Sequence, residues 1–330
     1  MRQPVTMSDV ARAAGVSSTT VSYVLSGKRP VAEATRRAVE AAVEDLGFTL
    51  NTVARSLRTG RSTLIALVVP DIANPFYAQL ASVLQEAVRA EGYHVVVCNT
   101  GAQRSEERAF LSEAVEQRFA GVVITPFRLT VGDFDVLRAA GIPAVVSADV
   151  PFGDLDLVTP DSTEAMRTAL EHLRDSGRRR LGMIAGPRDA TGGDPRLKRW
   201  ARLAREHGLG LEKEFVFHGE HTRAAGAEGF SWLMGRAERP DAVLCSNDVA
   251  AVGALEAAES QGVDVPGEVS LIGHDDVSFA SLVRPRLTTI RYPADEVGTA
   301  AALLLMQRLQ GRTRRRTVRI TAEYVSRSSA

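Results

Sequence analysis

The chain has 330 residues, of which 45% are hydrophobic and 24% are charged, an ordinary composition for a soluble globular protein. Its 40 Lys and Arg balance 40 Asp and Glu, which excludes a chain that attracts polyanions over its whole surface. No stretch approaches about 18 consecutive apolar residues and no apolar signal region opens the chain, so we predict a cytoplasmic protein without a membrane span.

The charges are distributed unevenly along the chain. Residues 1–61 hold nine Lys and Arg against five Asp and Glu, whereas residues 62–330 hold 31 against 35. A basic N-terminal segment on a mildly acidic remainder indicates that nucleic acid binds at the N-terminal end. The length alone is enough for about two domains.

The N-terminal segment contains two short helical patterns separated by a glycine. Thr6 and Asp9 have the spacing of a capping box that starts the first helix, Gly15 ends it, and a cap at Ser17 or Ser18 starts the second. Two short helices joined by a glycine turn predict a helix-turn-helix motif, with a generic αα-hairpin as the alternative. The residues expected to pack between the helices are Ala11 and Val21.

Two further helices are predicted before residue 62. The run VAEATRRAVEAAVEDLGF (31–48) has apolar residues at helical spacing and predicts a third helix that closes a small bundle. These residues are Ala34, Ala38, Val39, Ala42, Val43 and Leu46. The next run, NTVARSLRTGRS (51–62), predicts a two-turn helix that is too short to be stable alone in water. An exposed Leu57 would be hard to explain in a mere linker.

Residues 6–60 resemble the DNA-binding headpiece and hinge of the LacI family of bacterial transcription regulators. The resemblance rests on TMSDVARAAGVSSTTVSYVLSGKRPVAEATRRAVEAAVEDLGF, followed by NTVARSLRTGRS. It implies that the second helix enters the major groove of double-stranded DNA and that paired hinge helices enter the minor groove. The residues implied are Ser18, Thr19 and Tyr23 at base edges, Ser17, Thr20, Ser22 and Asn51 at phosphates, and Leu57, Arg58 and Arg55 in the minor groove.

The chemistry of these residue types is consistent with the implied roles. Hydroxyls near a helix N-terminus suit phosphate oxygens, and a good base contact contributes about 1–3 kcal/mol of discrimination. Leu57 matches the apolar wedge that family members use to unstack a central base step. One departure is Leu50, which stands where family members often have proline before the hinge.

From residue 64 onward, short apolar runs alternate with helical patterns. The runs LIALVV, HVVVC, GVVIT, AVVS, LGMIA, AVLC and VSLIG each predict a buried strand, and together with the intervening helices they indicate parallel α/β sheets. The span is long for one sheet, so we predict two lobes, with crossovers near 161–163 and 287–298. Cys98 and Cys245 end two of the runs and are predicted to be buried thiols.

The sequence shows no enzyme signature. It contains no phosphate-binding glycine loop, dinucleotide fingerprint, zinc-protease motif or nucleophile elbow, and we predict neither catalysis nor a cofactor or metal. The spacing of His218 and His221 in HGEHT allows a metal ligand pair, but without a further His or Cys cluster a solvated turn is favoured. The run RTRRRTVR (312–319) is interpreted as a solvated loop before a terminal strand rather than a nucleic-acid patch.

The family resemblance continues through the rest of the chain, in VVPDIANPFYAQL (68–80), PDAVLCSNDVAAVGALEA (240–257) and VSLIGHDDVSFA (269–280), among other runs. It implies a periplasmic-binding-protein-like fold whose two lobes close on a small-molecule effector at the carboxyl ends of the strands. The effector-binding residues implied by the resemblance are Phe76, Asp149, Arg196, Asn247 and Asp275.

Several of these positions have a second interpretation. Asn247 and Asp248 both follow a strand, and one of them is expected to cap the next helix, with Asp248 favoured. Of the pair Asp275 and Asp276, one is expected in the cleft. Arg199 stands where the family commonly has glycine, so that its side chain either points to solvent or narrows the pocket.

The effector class also remains open at this point. The loop GPRDATGGDP (186–195) is distinctive, so the effector need not be a common one. Few aromatic residues are placed to stack on a base, which favours a sugar over a purine or nucleoside. A body that only dimerises is a further alternative, whereas a transporter's solute-binding protein or an NAD-dependent oxidoreductase lacks support in the sequence.

The predicted domain organisation follows the resemblance. It comprises a helix-turn-helix headpiece (1–49), a hinge helix (50–61) and an effector-binding and dimerisation domain (62–330). The first lobe is expected at about 62–161 and 291–325 and the second at about 162–290. We predict a repressor of a carbohydrate-utilisation operon that binds a palindromic operator as a homodimer, since the C-terminus has no leucine heptads for a coiled-coil tetramer.

Overall fold

The computed structural model describes residues 5–26, 29–48 and 62–330. By its internal contacts the chain divides into two compact units, Met1–Gly60 and Arg61–Ala330. None of the helices in the described ranges is both long and apolar enough to cross a bilayer. The predicted hinge residues lie outside the described residues: Asn51, Arg55, Leu57 and Arg58.

The first unit contains three helices in its described part: α1 (Met7–Ala13), α2 (Ser18–Ser26) and α3 (Glu33–Leu46). Helix α1 begins with the predicted capping box, in which the Asp9 amide donates to Thr6 Oγ1 and the Thr6 amide donates to Asp9 Oδ2. Gly15 forms the turn with a φ of +64°. The Thr20 amide donates to Ser17 Oγ (3.1 Å), so of the two predicted caps it is Ser17 that starts α2.

The core of this unit is small and lies between the three helices. Ala11 and Val21 are buried there, which confirms the packing expected of a helix-turn-helix motif. Among the described residues of this unit, the buried apolar residues of the core are Val10, Ala11, Val21, Val24, Val39 and Ala42. Ala34, Ala38 and Leu46 are exposed, so α3 buries a narrower face than its sequence periodicity predicted.

In its described residues, 62–330, the second unit contains twelve strands and eight α-helices. The strands are β1 (Leu64–Val69), β2 (His94–Asn99), β3 (Gly121–Ile124), β4 (Ala144–Ser147), β5 (Asp156–Asp161), β6 (Leu181–Ala185), β7 (Val216–His218), β8 (Ala242–Cys245), β9 (Ser270–Asp275), β10 (Thr288–Arg291), β11 (Thr317–Thr321) and β12 (Glu323–Val325). The helices are α4 (Pro75–Arg89), α5 (Arg104–Glu116), α6 (Asp135–Ala140), α7 (Thr163–Asp175), α8 (Pro195–Glu206), α9 (Arg223–Met234), α10 (Asp248–Gln261) and α11 (Ala294–Leu309).

The strands form two six-stranded sheets, one in each lobe. The first has the order β11-β5-β4-β3-β1-β2 and is parallel throughout. The second has the order β12-β10-β9-β8-β6-β7 and is parallel except for β12, which runs antiparallel to β10. The predicted fold class, an α-helical headpiece followed by a two-lobed α/β unit with parallel sheets, is confirmed.

The strands are apolar runs because helices cover both faces of each sheet. In β1, Ile65, Leu67 and Val69 pack into one cluster with residues of α4 and α11. Ala66 and Val68 pack into a separate cluster on the opposite face with residues of α5 and α6. The predicted thiols Cys98 and Cys245, at the ends of two such runs, are buried.

The chain passes between the lobes three times: after β5, between β10 and α11, and between β11 and β12. The prediction that residues 291–325 belong to the first lobe is therefore wrong for the last of them, because β12 (Glu323–Val325) is part of the second sheet. Tyr324 of β12 pairs with Ile290 of β10 in the second sheet. Close to the C-terminus, Ser329 Oγ donates to the Leu271 carbonyl and accepts from the Thr288 amide. A three-residue strand is too short for its sequence pattern to show which sheet it joins.

The arginine run at 312–319 is only partly the solvated loop that was expected. Its last residues form the start of β11, the last but one strand, and Arg312 turns inward, where its Nη2 lies 2.6 Å from Oδ2 of the fully buried Asp156. Arg308 Nε (2.8 Å) and the Arg316 amide (2.6 Å) bind the same carboxylate. Burial acts to raise the pKa of Asp156, but the hydrogen bonds from Arg312 and Arg308 hold it below its ordinary value.

Candidate functional site

A cleft of about 400 Å³ lies between the two lobes. Its walls are mostly the loops that follow strands β1, β3, β4, β6, β8 and β9, together with the first turns of α4 and α8. These are the carboxyl ends of parallel strands, the edge at which open α/β sheets bind ligands. All five predicted effector-binding residues line this one cleft: Phe76, Asp149, Arg196, Asn247 and Asp275.

Asp149 lines the cleft but its carboxylate already has a partner. Arg199 of the second lobe binds it with both terminal nitrogens (2.8 and 2.6 Å), and Nη1 of Arg199 also donates to Ser162 Oγ (2.9 Å). Arg199 lies behind Asp149 rather than in the cleft lining, and its side chain is only 20% exposed. It therefore neither points to solvent nor narrows the pocket, but ties the two lobes together. Trp200, beside it, is in the second-lobe core.

Arg196 places a guanidinium in the cleft. The first turn of α8 fixes its position, because Asp194 caps this helix by accepting from the Leu197 amide (2.9 Å). Nη1 of Arg196 donates to the Ser246 carbonyl. Among the described residues no carboxylate lies within ion-pair distance of Arg196. Its remaining N–H groups are donors for a polar ligand.

Asn247, not Asp248, is the N-cap of α10, so the sequence interpretation of these two residues is wrong. Asn247 Oδ1 accepts from the Ala250 amide (2.8 Å), and its Nδ2 donates to the His221 carbonyl (3.2 Å). The carboxylate of Asp248 is buried and accepts from Thr289 Oγ1 (2.7 Å) and the Val277 amide (2.9 Å). Burial, with Asp275 nearby, raises the pKa of Asp248 well above its ordinary value.

The two consecutive aspartates at the end of β9 have different environments, as expected. Asp275 lines the cleft, and Nδ1 of His274 donates to its Oδ1 (3.0 Å). Asp276 instead pairs with Arg291 (2.8 Å) and Arg327 (2.6 Å). Asp275 has a φ of +105°, a strained conformation for a residue with a side chain, which typically costs about 1–3 kcal/mol and is common at binding sites.

The cleft contains more aromatic rings than the sequence indicated. Tyr77, Phe127 and Tyr292 line it together with Phe76. The rings of Phe76 and Tyr292 stack with centroids 5.6 Å apart, and Tyr77 meets Phe76 edge to face at 5.2 Å. The cleft therefore has more aromatic surface than the prediction of few stacking aromatic residues implied. Phe76 and Tyr77 are neighbours in α4, but Phe127 and Tyr292 come from distant segments, and no local pattern shows that these rings meet.

His221 was also misinterpreted, because it lies in the cleft wall rather than in a solvated turn. Its Nδ1 is hydrogen bonded to Ser246 Oγ (3.0 Å), and Phe127 meets its ring edge to face at 5.2 Å. Burial, assisted by the positive charge of Arg196, lowers the pKa of His221 to about 4. The ring is therefore neutral near pH 7. Within the described ranges no group of three or more acidic, His or Cys side chains is arranged to hold a metal ion.

The predicted DNA-contacting residues of the headpiece lie at the N-cap and within the first two turns of α2. Ser17, Ser18 and Thr19 are exposed, and the hydroxyls of Ser17 and Thr20 are 2.9 Å apart. Ser22 and Tyr23 are half-buried. The guanidinium of Arg29, which the sequence analysis did not single out, lies over the Tyr23 ring with 5.2 Å between its carbon and the ring centroid. A row of hydroxyls beside a basic group fits a phosphate backbone.

Known proteins match the chain over nearly its whole length. Residues 6–51 match the family model of bacterial regulatory proteins of the lacI family, and residues 170–330 match that of a periplasmic binding protein-like domain. The HTH-type transcriptional repressor PurR of Photobacterium profundum is 32% identical over 98% of both chains. The ribose operon repressor of Escherichia coli is also 32% identical, over 98% of this chain and 99% of its own.

A solved structure extends this similarity to three dimensions. The Lac repressor dimer bound to operator and the anti-inducer ONPF is 27% identical, with 99% of each chain covered and a TM-score of 0.87. The sequence similarity and the shared fold both span the headpiece and the two-lobed unit. The chain belongs to the LacI family of bacterial regulatory proteins.

Proposed function

We propose that the protein is a ligand-responsive repressor that binds a palindromic DNA operator as a homodimer, with a small-molecule effector in the cleft between its lobes. The observation that carries the proposal is one chain that holds both a helix-turn-helix with exposed hydroxyls on α2 and a cleft lined by charged, polar and aromatic side chains. A two-fold dimer presents two such headpieces, which matches a palindromic site.

At the DNA end, the proposed contacts divide by chemistry. Ser18, Thr19 and Tyr23 would contact base edges, while hydroxyls at the start of α2 and on its flank would contact phosphates. The phosphate-contacting set is Ser17, Thr20, Ser22 and Asn51. In the hinge, by resemblance to the family, Leu57 would act as the minor-groove wedge, with Arg55 and Arg58 beside it.

At the effector end, the cleft favours a sugar. Arg196 offers donors and Asp275 offers acceptors to ring hydroxyls, and aromatic faces such as Phe76 suit the C–H surface of a sugar. A cleft of about 400 Å³ has room for one small molecule. The regulated genes would then serve carbohydrate use. A nucleoside is the second candidate, because the stacked Phe76 and Tyr292 add aromatic surface that a base could contact.

The DNA-binding half of the proposal is tested with genomic DNA. Purified full-length protein is incubated with fragmented genomic DNA at fixed moderate salt, with and without a metabolite extract, and bound fragments are sequenced. Enrichment of one palindrome supports the proposal. A Thr19→Glu variant serves as the control, since a carboxylate on the exposed side of α2 repels phosphates and should remove the enrichment. If no palindrome is enriched under either condition, the protein is not a sequence-specific regulator.

The effector half predicts a large loss of ligand affinity in Arg196→Ala. Losing charge-assisted hydrogen bonds at about 1.5–3 kcal/mol corresponds to roughly 10- to 100-fold weaker binding. Binding is measured by thermal-shift titration with D-ribose, cellobiose and adenosine. The matched control is Arg202→Ala on the same helix, which loses only an exposed pair with Glu206. Wild-type ligand affinity in Arg196→Ala would contradict the proposed effector site. The absence of a thermal shift of the wild-type protein with all three probes would contradict it too.

A further inference from the structure

The glycine-rich loop after β6 spans the cleft and is anchored to the opposite lobe. This loop, residues 187–194, is named the strap here; its Ala190 and Thr191 line the cleft. The Thr191 amide donates to the Phe127 carbonyl (2.6 Å), and Thr191 Oγ1 donates to the Leu129 carbonyl (3.0 Å). The strap belongs to the second lobe and Phe127 to the first, so both hydrogen bonds run between lobes.

An ion-pair cluster lies beside these hydrogen bonds. Arg128 of the first lobe binds Asp189 of the strap with two nitrogens (2.8 and 3.1 Å) and Glu220 of the second lobe with one (3.0 Å). The Arg128 side chain is 13% exposed, whereas those of Asp189 and Glu220 are 68% and 50% exposed. The cluster therefore lies at the outer edge of the cleft, where water and salt compete with the carboxylates.

Arg128 is held in place by a buried carboxylate. Glu107 of α5 accepts from the Phe127 amide (2.5 Å) with one oxygen and from the Arg128 amide (2.9 Å) with the other. Burial raises the pKa of Glu107, against the opposing effect of these two hydrogen bonds. Because both oxygens bind consecutive amides, Glu107 fixes the backbone from which Phe127 faces the cleft and Arg128 reaches the strap.

The strap approaches the first lobe too closely for a larger residue at its centre. A Cβ on Gly192 would lie 2.6 Å from Cγ1 of Val150, which also lines the cleft. Gly192 has a φ of +75° as well, which residues with side chains adopt rarely. The strap is thus shaped to dock on the first lobe in this one arrangement.

We propose that the strap is a gate over the cleft, held shut by Arg128, with Glu107 as the positioning residue that aims Arg128. The gate rests on the proposed function only in treating the cleft as the effector site. It assigns a role to the loop that the sequence marked as distinctive. Opening requires the Arg128 cluster and the two Thr191 hydrogen bonds to break together, so that this event controls entry to and exit from the cleft.

The first test measures amide hydrogen exchange of the strap in full-length protein, which requires neither DNA nor a ligand. Arg128→Ala is expected to raise exchange in peptides that cover 187–194 by about tenfold, the effect of losing a bidentate charge-assisted pair. Arg138→Ala is the matched control, because Arg138 pairs with Asp135 and Asp154 within the first lobe. Glu107→Gln should give a smaller increase, since it keeps one acceptor oxygen.

The salt dependence of strap exchange distinguishes the loss of the Arg128 ion pairs from a general loosening of the strap. Raising NaCl from about 0.05 M to about 0.5 M should accelerate strap exchange in the wild type, because exposed pairs are screened. It should leave Arg128→Ala unchanged, since the pair is already absent. Equal salt dependence of strap exchange in the two proteins would contradict the proposal that the Arg128 ion pairs hold the strap shut.

The second test asks whether the strap controls access to the cleft. Ala148, which lines the cleft, is replaced by cysteine, and labelling with fluorescein maleimide is timed; the native thiols Cys98 and Cys245 are buried. Adding Arg128→Ala should accelerate labelling by about tenfold, and adding Arg138→Ala should not.

Faster strap exchange without faster labelling would show a docked loop that gates nothing, and unchanged exchange would overturn the proposal outright. Neither result changes the outcome expected for the operator and effector experiments, which test the proposed function independently of the gate.

Discussion

Replacing Gly253 by alanine is expected to lower the free energy of unfolding of the two-lobed unit by about 3 kcal/mol, the upper end of the usual cost of overpacking. Helices α9 and α10 cross in backbone contact. A Cβ on Gly253 would lie 1.8 Å from the Arg223 carbonyl oxygen, and one on Gly226 would lie 1.9 Å from that of Ala250. Alanine is a better helix former than glycine by about 1 kcal/mol, but a backbone-to-backbone clash outweighs that gain.

The measurement is urea unfolding followed by circular dichroism, with Gly132→Ala as the control. A Cβ on Gly132 would meet no atom within 4 Å, so its substitution should change stability little. The crossing also has a functional side, because α9 and α10 both begin at the cleft, where Thr222 and Asn247 lie. Spreading the helices should therefore weaken ligand binding too. A Gly253→Ala protein of wild-type stability would mean that the helices can separate without cost.

Replacing Asp156 by alanine is expected to cost about 3–5 kcal/mol of folding free energy, the range for removing one partner from a buried ion pair. Its carboxylate is fully buried and satisfies Arg308, Arg312 and the Arg316 amide together. This joins the end of α11 to β5. Alanine would leave two guanidinium groups, both mostly buried, without their acceptor.

Urea unfolding at neutral pH measures this loss, and acid unfolding adds a second observable. Because the pKa of Asp156 lies below its ordinary value of 3.8, its contribution is complete above that value and is lost as the pH falls through the native pKa. The Asp156→Ala protein should lack this part of the acid-induced loss. As a control, Asp135→Ala removes one carboxylate from the exposed pair with Arg138 and should cost no more than about 1 kcal/mol. Similar losses of folding free energy in Asp156→Ala and Asp135→Ala would contradict the conclusion that the buried Asp156 cluster stabilises the fold more than an exposed ion pair does.

Local rules predicted several elements correctly. The apolar runs predicted the parallel strands because burial on both faces removes the alternation of a half-exposed strand. The capping box of Thr6 and Asp9 could be predicted because its two partners are three residues apart in the sequence. The residues predicted by resemblance to bind effector do meet in one cleft, since each ends or follows a strand or opens a helix at the same edge of the sheets.

What the sequence could not show depends on contacts between distant segments. Asn247 and Asp248 both carry a capping oxygen, and Thr289 decides between them by donating to Asp248. Arg199 meets Asp149 across 50 residues of sequence. His221 meets the ring of Phe127, which belongs to the other lobe. The spacing of residues along the chain does not predict contacts between such distant residues.

The three passages between the lobes have a consequence for synthesis on the ribosome. The first sheet receives β11 and the cover of α11 only after strands β6 to β10 of the second lobe have been made, and the second sheet is completed by β12. Neither lobe can therefore finish its core on the nascent chain before residues near 320 have emerged. Domains generally fold as they are made, but here residues 62–161 must wait with an unfinished sheet edge. That interval exposes apolar strand surface, and chaperones should contact this part of the chain most.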